Sequence, residues 1–318
     1  MFPHRHAWAG LLVLAATLPA PAAEVNRYLP DDTEVVVFVN VRQLLDAPLI
    51  KKHALEQLRA ALKENPEGEK FLNAVGLDPF RDIQSVTLAA PGSRAPDRVL
   101  LIVAGNFNLD RIHAVADGIT RNDPDAVKVH RQGSLRIYES RGKKDGGTGF
   151  AAFIDRHTLL VSPAQETVVA AARGAGSQGP RVKKELQELI RQADPGQSLW
   201  FAALATSEVR EVLKGNPQTA TVAEKITSFT GAAALGDAVQ VAIQIHATDA
   251  GSADEVRRLM EALKGFVQFA ALSSKEYGPL FGDILDALTV SSRKNTVTIG
   301  GKVPGDLIER GLKKGKRP

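Results

Sequence analysis

Apolar and polar positions along the chain follow two periods, which predict strands and helices. Residues 239–246 alternate Val and Ile with smaller or polar residues, as in a strand with one wet face. Over 256–270 apolar residues recur every three or four positions, which predicts a long helix whose apolar stripe faces a sheet or another helix. Short strands flank turns at 131–134 and 293–295, and these predict hairpins. The predicted fold class is α+β, with mostly antiparallel sheet covered by helices.

The same order of elements occurs twice along the chain. A turn and a continuous apolar run occupy residues 30–39, and a second turn and run occupy 194–204. In each half a strand and a helix follow, and Asn108 and Ser252 are predicted to begin those helices as N-caps. This order predicts two related units that arose by internal duplication. The sequence leaves open whether the units share one sheet or form separate domains.

The first 22 residues have the three parts of a secretory signal peptide. Arg5 supplies a short basic region, residues 8–18 an apolar region, and Ala20-Pro21-Ala22 a cleavage site of small residues. The apolar run is too short to span a bilayer. We therefore expect cleavage between Ala22 and Ala23 and a mature protein in the periplasm or outside the cell.

The predicted organisation combines this signal with the repeated order of elements. A Gly-rich segment with little apolar character lies between the two halves and is predicted to be a flexible joint. The expected parts are a signal peptide at 1–22, a first unit at 23–173, the joint at 174–180, and a second, shorter unit at 181–318 with a basic tail.

Composition narrows the classes of function. The chain is 44% hydrophobic and 24% charged, which is typical of a folded globular protein, and it has no cysteine for a disulfide. Aromatic residues make up only 5%, and basic and acidic residues are mixed, so we expect no nucleic-acid partner. No apolar run after Ala22 is long enough to cross a membrane, so the mature protein is expected to be soluble. The basic residues 313–317 predict either a solvated tail or a weak contact with anionic envelope components.

The sequence contains no local pattern of catalytic or metal-binding residues. No two histidines after residue 22 have a metal-ligand spacing, and there is no cysteine to complete a site. Ser177 lies in the Gly-rich joint, where a nucleophile would lack the strand and helix that must flank it. We expect no catalytic residue, no cofactor and no metal, while a site assembled only in space stays open. The histidines in question are His53, His113, His130, His157 and His246.

Two phrases of the chain resemble a known group of proteins. They are YLPDDTEVVV at residues 28–37, followed by VRQLL at 41–45, and GLDPFRDIQSVT at 76–87. Both phrases resemble uncharacterised exported bacterial proteins of planctomycete type, which have no known activity. The resemblance therefore implies a fold and an exported location, and it supplies no catalytic residues.

Three functional hypotheses follow. The leading one is a non-enzymatic binding or structural module of the cell envelope, which needs an exposed apolar or aromatic patch; Trp200, Tyr277 and Phe281 are the candidates. The alternative is a carrier of an apolar or lipid-like ligand, which needs an apolar cavity between the sheet and the long helices or between the two units. The third is a hydrolase whose site is assembled in space. The sequence does not identify a partner or an oligomeric state.

The cleavage site gives a direct prediction. Protein isolated from its own host should begin at Ala23, because the small residues Ala20 and Ala22 occupy the positions that signal peptidase reads. N-terminal sequencing of the bulk protein checks this, and an intact Met1 would contradict it.

Overall fold

The computed structural model describes residues 23–92, 95–141, 147–176, 181–272 and 278–314. All strands in these ranges belong to one twelve-stranded antiparallel sheet. They are β1 (Thr33–Asn40), β2 (Ile83–Pro91), β3 (Leu100–Gly105), β4 (Val127–Gln132), β5 (Leu135–Arg141), β6 (Thr148–Phe153), β7 (Thr158–Ser162), β8 (Leu199–Leu204), β9 (Ile226–Leu235), β10 (Ala238–Ala247), β11 (Leu288–Arg293) and β12 (Thr296–Pro304).

The helices lie between these strands. They are α1 (Val41–Asp46), α2 (Pro48–His53), α3 (Leu55–Lys63), α4 (Pro66–Val75), α5 (Pro79–Asp82), α6 (Leu109–Asn122), α7 (Gln165–Gly174), α8 (Lys184–Gln192), α9 (Ser207–Gly215), α10 (Ala250–Leu272), α11 (Gly278–Asp286) and α12 (Gly305–Lys314). Short 3-10 turns occupy Pro96–Arg98 and Ala220–Lys225. No helix within the described ranges combines the length and the apolarity that a bilayer crossing requires.

The strand order confirms the α+β class and the antiparallel sheet. It is β11-β12-β10-β9-β8-β1-β2-β3-β7-β6-β5-β4, so the two halves of the chain meet where β1 pairs with β8. Outward from β1 the order is β2, β3, β7 and β6, and outward from β8 it is β9, β10, β12 and β11. The second half thus repeats the succession of the first and lacks a counterpart of β4 and β5. Both halves contribute to one sheet.

Local chemistry explains where several elements begin and end. The predicted hairpins are confirmed as β4–β5 and β11–β12, whose turns contain Gly133 and Lys294 with positive φ. Asn108 caps α6 as predicted, because its side chain accepts a hydrogen bond from the Arg111 backbone N–H. The prediction that Ser252 begins the other long helix is wrong. Asp249 holds the start of α10 by accepting hydrogen bonds from the backbone N–H and the hydroxyl of Ser252.

Side chains alternate between two faces of the sheet. We call them the α8 face, which carries Val36 and Trp200, and the α10 face, which carries Val37 and Phe201. Over the first half, the α8 face is covered by α7, α8 and the segment that begins at Ala23, all in one apolar cluster. That cluster includes strand residues from both halves of the chain. The two halves therefore share a hydrophobic core as well as a sheet.

The long helices α6 and α10 both pack on the α10 face. Ile112 of α6 clusters with Val103, and Val256 of α10 clusters with Ile245. Side chains that are paired across neighbouring strands point to the same face of the sheet. Such pairings lead from Val103 across β2 and β1 to Leu199 of β8. They also lead from Ile245 across β9 to Ala203 of β8. Because Leu199 and Ala203 are separated by an even number of positions, they point to the same face.

Removing the most buried side chain of α8 should destabilise the whole sheet. Leu186 is completely buried in the shared core, so Leu186→Ala should lower the free energy of unfolding by about 2–5 kcal/mol. The control is Leu58→Ala on the exposed side of α3, which should cost less than about 0.5 kcal/mol. Denaturant unfolding measures both. Equal effects would contradict a core shared beneath α8.

Candidate functional site

An apolar surface is left open on the α10 face of the central strands. We call it the apolar trough, and its floor consists of two cross-strand rows from β1, β8, β9 and β10. Val37 pairs with Phe201, and the row continues through Gly231 to Ile243. The second row runs in the same way. Its members are Val39, Leu199, Ala233 and Val241.

Exposure distinguishes the trough from the opposite face of the same strands. Val36 is 1% exposed and Ala202 is 0% exposed on the α8 face. Their neighbours Val37 and Phe201 are only partly buried, and Ile243 is 41% exposed. An apolar side chain on a central strand is expected to be fully covered, since burial stabilises by roughly 25 cal/mol per Å². The α10 face of these strands is therefore incompletely covered.

Gly231 allows the aromatic ring of Phe201 to lie close to the backbone of the trough floor. A Cβ atom at this position would lie 2.2 Å from Cε1 of Phe201, which is closer than real Cβ contacts allow. The Phe201 ring therefore occupies the space above the Gly231 backbone. A larger residue at 231 would displace the ring and change the shape of the floor.

The long helices form the two walls of the trough. Helix α6 packs beside β3 and β7 through Ile112, Val103 and Leu159, and α10 packs on β10 and β12 through Val256. Strands β2, β1, β8 and β9 lie between these walls. At about 4.8 Å per strand, these four strands span roughly 19 Å between the walls.

A helical segment on the same side runs from helix α12 to the α6 wall. We call residues 48–75, which form α2 to α4, the strap. At one end Lys52 Nζ and His53 Nε2 lie 2.5 and 3.1 Å from the Glu309 carboxylate of α12. The hydrogen bond from Lys52 is the main cause that lowers the pKa of Glu309, with His53 contributing. Helix α12 packs through Leu307 with Val303, whose position along β12 places it on the α10 face.

The other end of the strap is tied to α6. The Arg111 guanidinium donates hydrogen bonds to the backbone carbonyls of Ala74, at 2.6 Å, and Asn73, at 2.9 Å. Gly76 ends α4 with φ of 71°, and a Cβ there would lie 2.7 Å from Nη1 of Arg111. Glycine is therefore required both by the left-handed backbone and by the close guanidinium.

The opposite face carries a polar cleft of about 850 Å³ beside α8. Glu34 pairs with Lys183, and Asp32 Oδ2 lies 2.6 Å from Nη2 of Arg98. The hydrogen bond with Glu34 is the main cause that raises the pKa of Lys183. This lining is charged, so the cleft does not have the apolar character that a lipid-like ligand needs.

His246 lies in this cleft and is held by two threonines. Its Nε2 and Nδ1 atoms each lie 3.2 Å from a hydroxyl, that of Thr230 and that of Thr296 respectively. Burial lowers the pKa of His246. The hydrolase hypothesis needs a nucleophile beside a general base. Among the described residues, the contact of the His246 imidazole with two threonine hydroxyls has this form. Within the same ranges, no group of three His, Asp or Glu side chains could hold a metal ion.

The other histidines have separate partners. His53 contacts Glu309, and His130 Nε2 lies 2.7 Å from Glu139 Oε2. His113 bonds to the hydroxyl of Tyr138. The structure thus distributes the five histidines over distant elements. The remaining one, His157, bonds through Nδ1 to the backbone carbonyl of Gly105.

The predicted surface candidates need one correction. Trp200 is 5% exposed and stacks on Phe38 with ring centroids 5.3 Å apart, so it belongs to the core of the α8 face. The prediction of a surface role is wrong because β8 is a central strand whose α8 face is covered.

Tyr277 lies outside the described residues, and Phe281 lies in α11 with its side chain outside them. Ala22 is also outside, whereas Ala23 is buried.

Exposed aromatic residues occur where the sequence predicted burial. The predicted apolar stripe of the long helix includes Phe266 and Val267, but these are 60% and 45% exposed, and Phe269 is 72% exposed. The stripe contacts the sheet through the earlier residues Val256 and Leu259. The periodicity correctly predicts which side of α10 packs on the sheet, but it does not show how far along the helix this contact extends.

Comparison with solved structures gives a distant similarity in fold. No protein-family model and no curated protein matches the chain. The crystal structure of TP0453, crystal form I, is similar with a TM-score of 0.49 and 9% sequence identity, over 92% of this chain and 98% of that chain. At this level the similarity does not bear on function.

The buried imidazole predicts a pH dependence of stability. Because the pKa of His246 is lowered on folding, the unfolded chain binds a proton near its ordinary value of 6.5 while the folded chain does not. Stability should therefore fall as pH drops below about 6.5. Denaturant unfolding at about pH 7.5 and about pH 5.5 should show a smaller difference for His246→Gln than for the wild type. His113, whose pKa burial also lowers, keeps its own contribution in both proteins.

Proposed function

We propose that this chain is a non-enzymatic binding module of the cell envelope and that the apolar trough is its binding surface. The observation that carries the proposal is the contrast between the two faces of β1 and β8. Val36 and Ala202 are buried, while Val37 and Phe201 on the α10 face stay partly exposed. A contiguous apolar surface of this kind marks a place where a ligand or partner binds.

The chemistry of the floor supports binding rather than catalysis. Its side chains are aliphatic or aromatic, so they bury apolar surface but neither donate nor accept protons. The hydrolase hypothesis, by contrast, has in its favour the contacts of His246 with Thr230 and Thr296 on the other face. Those contacts also fit a structural hydrogen-bond network in a polar sheet.

The envelope location is part of the proposal. It rests on the signal-like segment 1–22 and on the placement of Ala23, which is buried and whose backbone nitrogen lies 3.1 Å from the Ala193 carbonyl oxygen. An α-ammonium created by cleavage at this point could donate the same hydrogen bond. The proposal includes a weak contact of the basic residues 313–317 with anionic envelope components.

Internal duplication also belongs to the proposal. The succession β1, β2, β3, β7, β6 corresponds to β8, β9, β10, β12, β11, and α6 and α10 occupy corresponding places on the same face. A duplicated unit would account for the two long helices that flank the trough. The carrier hypothesis is the second candidate, because the trough is an apolar surface of the sheet that these long helices border.

A charge placed in the trough should abolish binding of an apolar probe. Ile243→Glu puts a carboxylate at the edge of the floor, and we expect it to weaken binding of 1-anilinonaphthalene-8-sulfonate by about tenfold or more. The matched control is Gln240→Glu, an exposed position on the same strand whose side chain points to the α8 face opposite Lys302. Fluorescence titration measures both, with circular dichroism to verify folding.

Equal probe binding by the two variants would contradict the proposal. A loss in both would mean that added negative charge, and not the trough, determines binding. Only a loss confined to Ile243→Glu supports the α10 face as the binding surface.

A further inference from the structure

We infer that the occupant of the apolar trough is the hydrocarbon chain of a single-chain lipid, such as a free fatty acid. The inference rests on the proposed function and names the ligand class of that same surface. Three features carry it: the uncharged floor, the size of the floor, and the walls and strap around it.

The floor selects for an uncharged, apolar chain. Both cross-strand rows are made of Val, Leu, Ile, Phe, Ala and Gly, and the strand partners on β2, Val86 and Leu88, extend them toward α6. A ligand that left a charge or an unpaired polar group on this floor would lose its hydration without gaining a partner. A polymethylene chain has no such group and gains from each methylene that leaves water.

The size of the floor excludes a stable protein partner. Along β1, the α10 face extends from Val35 to Val39, about 14 Å at 3.4 Å per residue. Across the sheet, β2 to β10 covers four strand spacings, about 19 Å. The product is roughly 270 Å², about a third of the ~800 Å² that each partner contributes to a standard interface. A second copy of this chain could not form a stable dimer through the floor alone.

The surroundings limit access further. Helices α6 and α10 rise about 10 Å above the sheet on either side. The strap joins the two sides, through Glu309 at one end and Arg111 at the other. A flat protein surface or a bilayer cannot reach a floor enclosed in this way without moving the strap, whereas a thin flexible chain can enter beside it.

The test is a chain-length series with the full mature protein. Saturated fatty acids of increasing length should displace 1-anilinonaphthalene-8-sulfonate, with affinity rising about fourfold per added methylene until the floor is covered. Ile243→Glu should weaken the longest bound acid about tenfold or more, while Gln240→Glu should bind like the wild type. Ile243→Thr, a milder change at the same position, should give a smaller loss in the same direction and guards against misfolding of the Glu variant.

Three results would overturn the inference. Probe binding that depends on Ile243 but is insensitive to fatty-acid length would leave the proposed function standing and remove the acyl chain as its ligand. A concentration-dependent dimer that Ile243→Glu dissociates would assign the trough to a second copy. Co-sedimentation with phospholipid vesicles that Ile243→Glu abolishes, without fatty-acid binding, would assign it to a membrane surface. If the probe does not bind at all and no dimer forms, the proposed function itself fails.

Discussion

The antiparallel pairing of β1 with β8 is the constraint on which the rest of the structure depends. It joins the two halves of the chain into one continuous sheet and places strands with apolar residues on both faces at the centre. Each central strand then needs cover on two sides. Helix α8 supplies it on one face through Leu186 and Ile190, which are fully buried. On the other face, the long helices lie over strands farther out, and the trough is what this spacing leaves between them.

Much of this architecture follows from local sequence. The alternating pattern of β10, the hairpin turns at Gly133 and Lys294, and the N-cap at Asn108 all have short-range chemical causes that a sequence displays. The sequence does not fix the start of α10, because Asp249 and Ser252 are both good capping residues and only their geometry shows which one accepts the backbone N–H. The single shared sheet could not be predicted, since it depends on a pairing between strands that lie far apart along the chain, such as that of Val37 with Phe201, rather than on any local pattern.

The candidate site was harder to predict than the fold. A continuous apolar run at 35–39 predicts a strand buried on both faces, and nothing in the run distinguishes Val36, which is buried, from Val37, which is partly exposed. The aromatic side chain of Trp200 is typical of a binding patch, yet its position on a central strand places it against Phe38 in the core. The residues that do form the floor are ordinary aliphatic ones. These residues form a surface only because the cross-strand register aligns them on one face and because α6 and α10 lie too far apart to cover them.

The position of a bound chain tests the account most directly. A crystal structure of the mature protein with a fatty acid brominated at its terminal methyl would locate the bromine by its anomalous signal. We expect a peak on the α10 face, between α6 and α10 and in contact with the row that contains Val37 and Phe201. A peak in the polar cleft beside α8, or none in crystals soaked at saturating concentration, would contradict the claim that the open face of the central strands is a binding surface.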